Sequence, residues 1–580
     1  MDRSLSPENS AVPFSRASIT QSSLFHMVGL LLLAAWLLGL DGGWLFGPDL
    51  GGLGLTDRDE GSNAEAAREM LETGDWISPT LNYEPRYAKP AFVYWLISGS
   101  YTLFGVNEFA ARWPSAMSGL CLLLLQYLFV RKWAGPTVAV WASFMLLLNL
   151  EFLGINRMVL TDPELVMFTT LAGYCFWHAM QHEQGRRWLF AIFYLAMGFG
   201  MLVKGPVGII IPLVGVIPYL TLTRQWGTFR QRGFPLVGIL LVTAIAAPWY
   251  LMMFQIHGEA YWAAAQANTT GRFMSPMEGH GGTVFFYLPI LLLGLFPWSA
   301  ILPSVLYQAL KGWKDYWRGK AFSSPEANLT FFLSVWVMGL LLFFTFSATR
   351  LPHYIYPLFP AAALLVALWW KRFLAEETPV GLMTSTRVLI WTGYLLGIAL
   401  TFAPAAFQFF MKQIAKEFPA AVHVELSWLP SILGIVIVLG TMFMRHCMLS
   451  DSKRHLASWA GFGMMLIFTV VLARWGLPVY QQYFVGPPQE LAVIAGLNLG
   501  RDDQLIQFGR KRPSLSFYAK RKVEFLGFND EDLPRHLSAP GRKMAILQTP
   551  LRGQLPDSMS NWNVVLDHGG FSLLSSESLL

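Results

Sequence analysis

The sequence predicts an α-helical polytopic membrane protein with surface-lying helices on its outer side and a small C-terminal α/β domain. Three observations predict it. Hydrophobic residues fill 54% of the 580 positions and charged residues only 13%, about half the roughly 25% usual in soluble domains. The apolar residues are gathered into runs such as Phe25 to Leu40, Ala116 to Val130, Phe234 to Phe254 and Ile432 to Phe443, which with their flanks reach or approach the roughly 20 residues that cross a bilayer. Basic clusters fall on alternate connections between those runs.

Residues 1–23 are polar and Ser-rich, a cytoplasmic segment without the composition of a packed unit. The first apolar run continues through Trp44 with no small-residue cleavage site, so it reads as a retained anchor. From there to 476 the hydropathy pattern gives about thirteen crossings. The basic clusters are Arg131-Lys132, Arg186-Arg187, Arg224 to Arg232, Lys311 to Lys320, Lys371-Arg372 and Arg445 to Arg454. Positive charge concentrates on the cytoplasmic side, so these loops are inside and the alternate loops outside. The sequence pI near 9.1 is explained by this topology-setting charge, and no nucleic-acid partner is expected. Cys121, Cys175 and Cys447 are widely spaced within or beside apolar runs and suggest neither a disulfide framework nor a metal site.

The first outer loop, 47–111, is no plain linker. SNAEAAREMLET carries Ala64, Ala67, Met70 and Leu71 at helical spacing, as in a helix lying on a membrane surface. FVYWLISGSYTLFG is apolar but short for a span, which suits a second interfacial or re-entrant helix. The stretch from about His257 to Thr283 reads as a Gly-rich outer loop, and in SATRLPHYIYP the prolines bracket His353 and Tyr354 where a helix restarts. The odd number of crossings places the tail 477–580 outside. There DQLIQFG, KVEFLGF, KMAILQ and NWNVVLDH read as short strands between Pro-, Gly- and Asp-rich turns, a small α/β domain.

The outer side collects the residues with chemistry. Asp57, Asp59 and Glu60 in LTDRDEGSNAEAAREM and Asp162 in LTDPEL stand where the chain leaves the bilayer. Carboxylates there can orient a nucleophile, accept a proton or offer oxygen ligands to a divalent metal. They equally suit a solvated helix N-terminus, and Thr161 or Asp162 can cap the helix that follows. Lys89, Lys204, Arg272 and Arg350 lie on the side where charge does not set topology. Cations beside apolar helices suit a lipid phosphate, while Lys89 and Lys204 can also simply snorkel. Tyr83, Tyr87 and Tyr354 sit near these motifs, and His280 lies in EGHGG, a lone histidine short of the several ligands a metal site needs.

The ordered set DRDEGSNAEAAREMLETGDWISP, YAKPAFVYW, RWPSA, LTDPEL, LVKGPVG and TRLPHYIYPLFPA resembles the polyprenyl-phosphate-sugar-dependent membrane glycosyltransferases of the GT-C superfamily. Within it the likeness is to the lipid A aminoarabinose transferases (ArnT) and, more widely, to protein O-mannosyltransferases. The resemblance covers about residues 25 to 370. It implies an inverting transfer of a sugar from a polyprenyl-phosphate donor to an acceptor at the periplasmic face of a bacterial inner membrane. The implied acceptor is lipid A or another lipopolysaccharide or glycolipid; a protein hydroxyl is the alternative, and a lipid-linked sugar transporter or flippase is the competing class. The resemblance further implies catalytic roles for Asp59, Glu60 and Asp162 and donor-phosphate contacts from Lys89 and Tyr354, to which the outer-side charges Lys204, Arg272 and Arg350 are added as donor-phosphate or lipid contacts. Acceptor or sugar contacts fall to Asp57, Tyr83, Tyr87, His280 and His353. Arg350 stands where relatives carry Lys before LP. Ser62 and Asn63 replace part of the relatives' DEGRYAE, and Ala88 replaces the glutamate of FEKP. Neither aminoarabinose nor a bound zinc is therefore expected, no cofactor is assigned, and a monomer among membrane lipids is anticipated.

Overall fold

The computed structural model describes residues 16–42, 49–182, 187–276, 281–375, 382–528 and 530–578. Residues 1–15 of the expected N-terminal segment, Arg186 of one basic cluster, and His280 lie outside them.

Among the described residues eight helices are long and apolar enough to cross a membrane: Glu108–Ala134, Arg187–Lys204, Pro235–Met274, Pro325–Phe346, Pro352–Leu374, Met383–Phe402, Trp428–Leu449 and Leu456–Asn498. Four shorter apolar helices, Leu24–Leu37, Phe92–Phe104, Pro136–Leu147 and Val207–Leu222, accompany them, as does the largely buried Asp162–Met180. This is a multi-pass membrane protein. The helix starts follow the local sequence: Asn107 accepts the Ala110 N–H at 2.9 Å, Ser324 that of Ala327 at 3.1 Å, and Pro325 and Pro136 occupy first-turn positions where a missing N–H costs nothing.

Both outer-loop helices form. The first spans Asp59–Thr73, ended by Gly74 in the left-handed conformation (φ 71°), whose N–H bonds the Met70 carbonyl. The second spans Phe92–Phe104. Between them Thr80–Leu81 and Glu84–Pro85 pair as a minimal hairpin. The stretch from His257 differs from the expected loop. Helix runs through Gln266 and continues in a π-type turn to Gly271 and a last turn to Met274. The glycine that suggested a loop, Gly258, is a kink with φ 53°, while the alanines at 263–265 are strong helix formers.

The C-terminal sheet contains β1 (Gln504–Phe508), β2 (Val523–Leu526), β3 (Lys543–Gln548), β4 (Asn563–His568) and β5 (Phe571–Ser575) in the order β2-β1-β3-β5-β4. Strand β1 is parallel to both neighbours, with Leu505 opposite Val523 on one side and Met544 on the other. Strand β5, absent from the sequence reading, is antiparallel to β3 and β4. It follows β4 directly through Gly569-Gly570, both with positive φ. The helical chain from Leu456 to Asn498 carries the backbone out of the bundle, and its end, Gly486–Asn498, lays Leu491, Ala492 and Ala495 on the sheet against Leu505, Met544 and Leu573.

The sheet unit is bolted to the first outer loop. The Asn82 side-chain oxygen accepts the Val523 N–H (2.8 Å) while its amide donates to the Val523 carbonyl (2.9 Å). Tyr518 donates to Glu108 (2.9 Å) and accepts the Leu55 N–H (2.9 Å). Gly61 allows this approach, since a Cβ there would stand 2.8 Å from the Ser514 backbone.

Candidate active site

The acidic string meets three different fates. Glu60 is buried, and the Arg112 guanidinium grips both its oxygens (Nε–Oε1 2.6 Å, Nη2–Oε2 3.0 Å). Thr56 donates to it through backbone N–H (2.8 Å) and hydroxyl (2.9 Å), and the Val159 N–H adds a bond at 3.1 Å. Burial alone would raise its proton affinity, but Arg112 and these donors hold the carboxyl below its ordinary range. Arg112 also donates to the Leu50, Leu53 and Gly54 carbonyls, so the pair ties the loop at 50–56 to the span that starts at Glu108. Glu60, expected among the catalytic groups, has its acceptor capacity taken up by this frame. Arg112 was missed as a site residue because RWPSA reads as the start of an apolar run and its partner lies 52 positions away.

Asp57 likewise departs from its expected sugar or acceptor contact. Its carboxylate accepts from Arg512 (2.8 Å) and from the Ser514 hydroxyl (2.5 Å) and N–H (3.3 Å), which anchors the C-terminal unit. Asp59 between them is exposed, and among the described residues its carboxylate makes no hydrogen bond or ion pair. Neither Arg58 nor Thr161 makes a side-chain capping bond to the helix it precedes.

The cations gather at a cavity of about 420 Å³. Lys89, Asp162, Lys204, Arg272, Tyr87 and Tyr354 line its polar end, and Phe273, Met274, Phe343, Phe344 and Ile210 contribute apolar wall. Asp162 is buried and takes the Lys204 ammonium on both oxygens (2.8 and 2.7 Å), with His353 Nε2 at 3.9 Å. Lys204 therefore neither snorkels nor stands unpaired, and Asp162 is an ion-pair partner rather than a cap. The Lys204 ammonium also lies 5.1 Å from the Tyr354 ring centroid, within cation–π range. Arg272 donates to the Tyr354 hydroxyl at 3.3 Å, and its segment is pinned by Ala348 N–H to Phe273 O (2.9 Å) and Thr349 N–H to Arg272 O (3.1 Å).

Lys89 differs from its neighbours. Among the described residues its ammonium has no carboxylate or hydrogen-bond partner, yet Asp59, Asp162, Lys204 and Arg272 all lie close enough for their charges to act on it. Burial, reinforced by Lys204 and Arg272 and opposed by the two aspartates, pushes it from 10.5 down to about 8. An unpaired ammonium among other cations at the end of an apolar cavity is poised for an anion.

The other expected residues divide. Tyr87 joins the wall, its hydroxyl 3.1 Å from His257 Nδ1, whose other nitrogen lies 2.8 Å from the Ser78 hydroxyl. Sequence reading passed over His257 because its partners are more than 100 positions away. Tyr83 is not at the cavity: it sits on the hairpin, donating to Glu72 (2.9 Å) and accepting from Arg68 (3.2 Å). Arg350, expected at the donor phosphate, grips the Gly282 carbonyl and that of Thr345 (2.8 Å) and is absent from the cavity lining. It clamps the chain at Gly282 to the end of the helix that finishes at Phe346. Among the described residues no three His, Cys, Asp or Glu side chains converge to hold a metal.

These helices, the surface-lying segments between them and the appended sheet make up the GT-C fold of membrane glycosyltransferases. Within that fold the chain resembles the crystal structure of ArnT from Cupriavidus metallidurans bound to undecaprenyl phosphate, with a TM-score of 0.73 at 22% identity over 96% of this chain and 99% of that one. A more distant likeness, TM-score 0.52 at 11% identity over 91% and 70% of the two chains, is to the Archaeoglobus fulgidus oligosaccharyltransferase. Residues 61–262 match the family model of dolichyl-phosphate-mannose-protein mannosyltransferase. In sequence the chain is 31% identical to an undecaprenyl phosphate-alpha-4-amino-4-deoxy-L-arabinose arabinosyl transferase of Edwardsiella ictaluri over 60% of its own length, and 30% identical to the same-named protein of Pectobacterium atrosepticum over 66%. The matches span 62% and 64% of those relatives.

Proposed function

We propose that this protein is an inverting glycosyltransferase that moves a sugar from a polyprenyl-phosphate donor to a glycolipid acceptor, lipid A or a related lipopolysaccharide species, at the periplasmic face of a bacterial inner membrane. The observation that carries the reading is the cluster of cations at one cavity: Lys89, without an ion-pair partner among the described residues, lines it with Lys204 and Arg272 beside apolar walls, and the charge of Asp59, outside the lining, reaches Lys89. The likeness to undecaprenyl-phosphate-dependent relatives supports the choice of donor. The polyprenyl chain enters from the bilayer along Phe273, Met274, Phe343 and Phe344, and its phosphate comes to rest at Lys89, Arg272 and Tyr354.

An acceptor oxygen attacks the anomeric carbon from the face opposite the phosphate. The bond between that carbon and the phosphate oxygen breaks, and the phosphate leaves with the electron pair. Lys89 and Arg272 neutralise the charge that grows on it, the interaction that strengthens most in the transition state. Asp59 takes the proton of a hydroxyl acceptor or, for an ionised phosphate acceptor, places the nucleophile. Asp162, fixed by Lys204, holds the cation array in register. Glu60 with Arg112 frames the helix that presents Asp59. The departures at Ser62, Asn63 and Ala88 argue against carrying the relatives' aminoarabinose over to this chain.

Mass spectrometry of envelope glycolipids from a strain lacking the protein tests the reading. One glycolipid should lose the mass of one sugar, regained on complementation with the wild type but not with Asp59→Asn. An unchanged glycolipid profile with lost protein glycosylation would move the acceptor to a protein hydroxyl, a second reading favoured by the family-model match. No change in either would end the proposal.

A further inference from the structure

A second, smaller cavity of about 210 Å³ lies at the seam between the acidic loop and the C-terminal unit. Its lining includes Arg58, Arg510, Lys511 and Arg512 against only two carboxylates, Asp57 and Glu417, with Phe418 and Tyr480 beside them. Both carboxylates are already engaged: Asp57 by Arg512 at 2.8 Å, Glu417 by Arg510. Two cations are left over. Among the described residues the Arg58 side chain makes no hydrogen bond or ion pair, and that of Lys511 makes only a ring contact, 4.9 Å from the Phe525 centroid. The cavity is below the roughly 300–1,000 Å³ of sites that enclose whole small molecules, so it matches a charged group of a larger ligand.

Its position ties it to the reaction. Arg58 directly precedes Asp59, whose charge reaches Lys89 in the other cavity. Arg58 also has φ 72° and ψ −97°, a backbone conformation that costs a non-glycine residue energy and that persists only where surrounding contacts impose it. The imposing contacts are on either side: Asp57 held by Arg512 and Ser514, Glu60 by Arg112. Arg58 thus lines the seam, while the charge of the next residue, Asp59, acts on Lys89 in the membrane cavity.

We propose that this seam cavity binds an anionic group of the acceptor, a phosphate on the glycolipid headgroup, through Arg58 and Lys511, and so presents the acceptor to Asp59. The C-terminal unit then supplies half of the acceptor site, with Lys511 from the segment after β1 facing Arg58 from the outer loop. This rests on the proposed transfer only for the identity of the acceptor; the prediction of a second phosphate site separate from Lys89 stands on the seam itself.

The test compares the wild type with the Arg58→Gly, Lys511→Gln double variant as full chains in nanodiscs, with three probes: diphosphorylated lipid A, the same lipid A after phosphatase treatment, and undecaprenyl phosphate. Glycine accepts the positive φ at 58, so the variant loses the guanidinium without added strain. Losing two charge-assisted contacts should weaken phosphorylated lipid A at least about tenfold. The dephosphorylated lipid should bind both proteins at the weakened level, and undecaprenyl phosphate should bind both equally. Equal lipid A affinity of the two proteins overturns the proposal, as does wild-type indifference to the phosphates. If undecaprenyl phosphate weakens in the double variant as much as lipid A, the seam serves the donor and the assignment to the acceptor fails. If undecaprenyl phosphate fails to bind the wild type while phosphorylated lipid A binds and discriminates, the donor reading falls and the seam site stands.

Discussion

The membrane cavity and the seam beneath the C-terminal unit draw charges from one four-residue string and use them in opposite ways. At the seam Asp57 is partnered by Arg512, and next to it the buried Glu60 is partnered by Arg112. At the cavity Lys89 is unpartnered, and the exposed Asp59, also without a side-chain partner among the described residues, is near enough for its charge to act on it. A buried charge with good partners is a structural element whose removal leaves the other charge stranded. A charge held near opposite charge but unpaired is available to a ligand. The difference teaches that neighbouring carboxylates are told apart by what already occupies their lone pairs, and each prediction below either sharpens or breaks that distinction.

The largest effect is expected at Asp59. Asp59→Asn keeps the shape and removes the base, so turnover with a hydroxyl acceptor should fall by about 10²–10⁴ while the thermal midpoint of the purified protein stays within a degree or two of wild type. Turnover near normal would remove Asp59 from the chemistry. A large loss of thermal stability would show that it is a frame residue like its neighbours.

Glu60 should behave in the reverse manner. In Glu60→Gln the Arg112 charge, 2% exposed, loses its counter-ion, and breaking a buried pair this way costs about 3–5 kcal/mol. The expected outcome is a lower unfolding midpoint and less folded protein in membranes, with kcat per folded molecule reduced far less than in Asp59→Asn. Arg112→Met should lower stability in the same way by stranding Glu60. If Glu60→Gln is as stable as wild type and dead, the carboxylate acts on substrate and the contrast between the two neighbours collapses.

How much of this was legible in the sequence follows the range of each interaction. Hydropathy runs and turn residues are local, so most apolar helices, both surface helices and four strands were readable, while the helix through His257 to Met274 was hidden by Gly258. Strand β5 was not, because FSLLS is short, follows Gly-Gly and runs into serines; only its place between β3 and β4 makes it a strand. The cavity's cast was also legible, since Lys89, Asp162, Lys204, Arg272 and Tyr354 are charged or polar residues at the edges of apolar runs. Their pairings were not. Glu60–Arg112 and Asp57–Arg512 are separated by 52 and 455 positions, and Arg350 was misassigned because a guanidinium gripping backbone carbonyls is indistinguishable in sequence from one awaiting a phosphate.

The smallest effect, and the one that separates binding from folding most cleanly, is the pH dependence of Lys89. With its proton affinity pushed from 10.5 to about 8 by burial and by Lys204 and Arg272, the empty site loses this charge as pH rises through about 8. Donor kcat/KM should therefore fall on that alkaline limb. Stability should move the other way: between about 8 and 10.5 the unfolded chain keeps a proton that the folded protein has released, and stability rises with pH wherever the unfolded state binds more protons. Lys89→Arg, charged throughout, should carry the kinetic limb to higher pH; Lys89→Ala should abolish the limb and weaken donor use about tenfold or more without changing acceptor affinity. Arg350→Ala, which loses only carbonyl contacts, should keep the limb where it is. Kinetics of these variants with a saturating acceptor, set beside their thermal midpoints across the same pH range, check the pair of opposed slopes. If the Lys89→Ala protein retains the alkaline limb, the titrating group is elsewhere and the unpaired ammonium does not meet the donor phosphate.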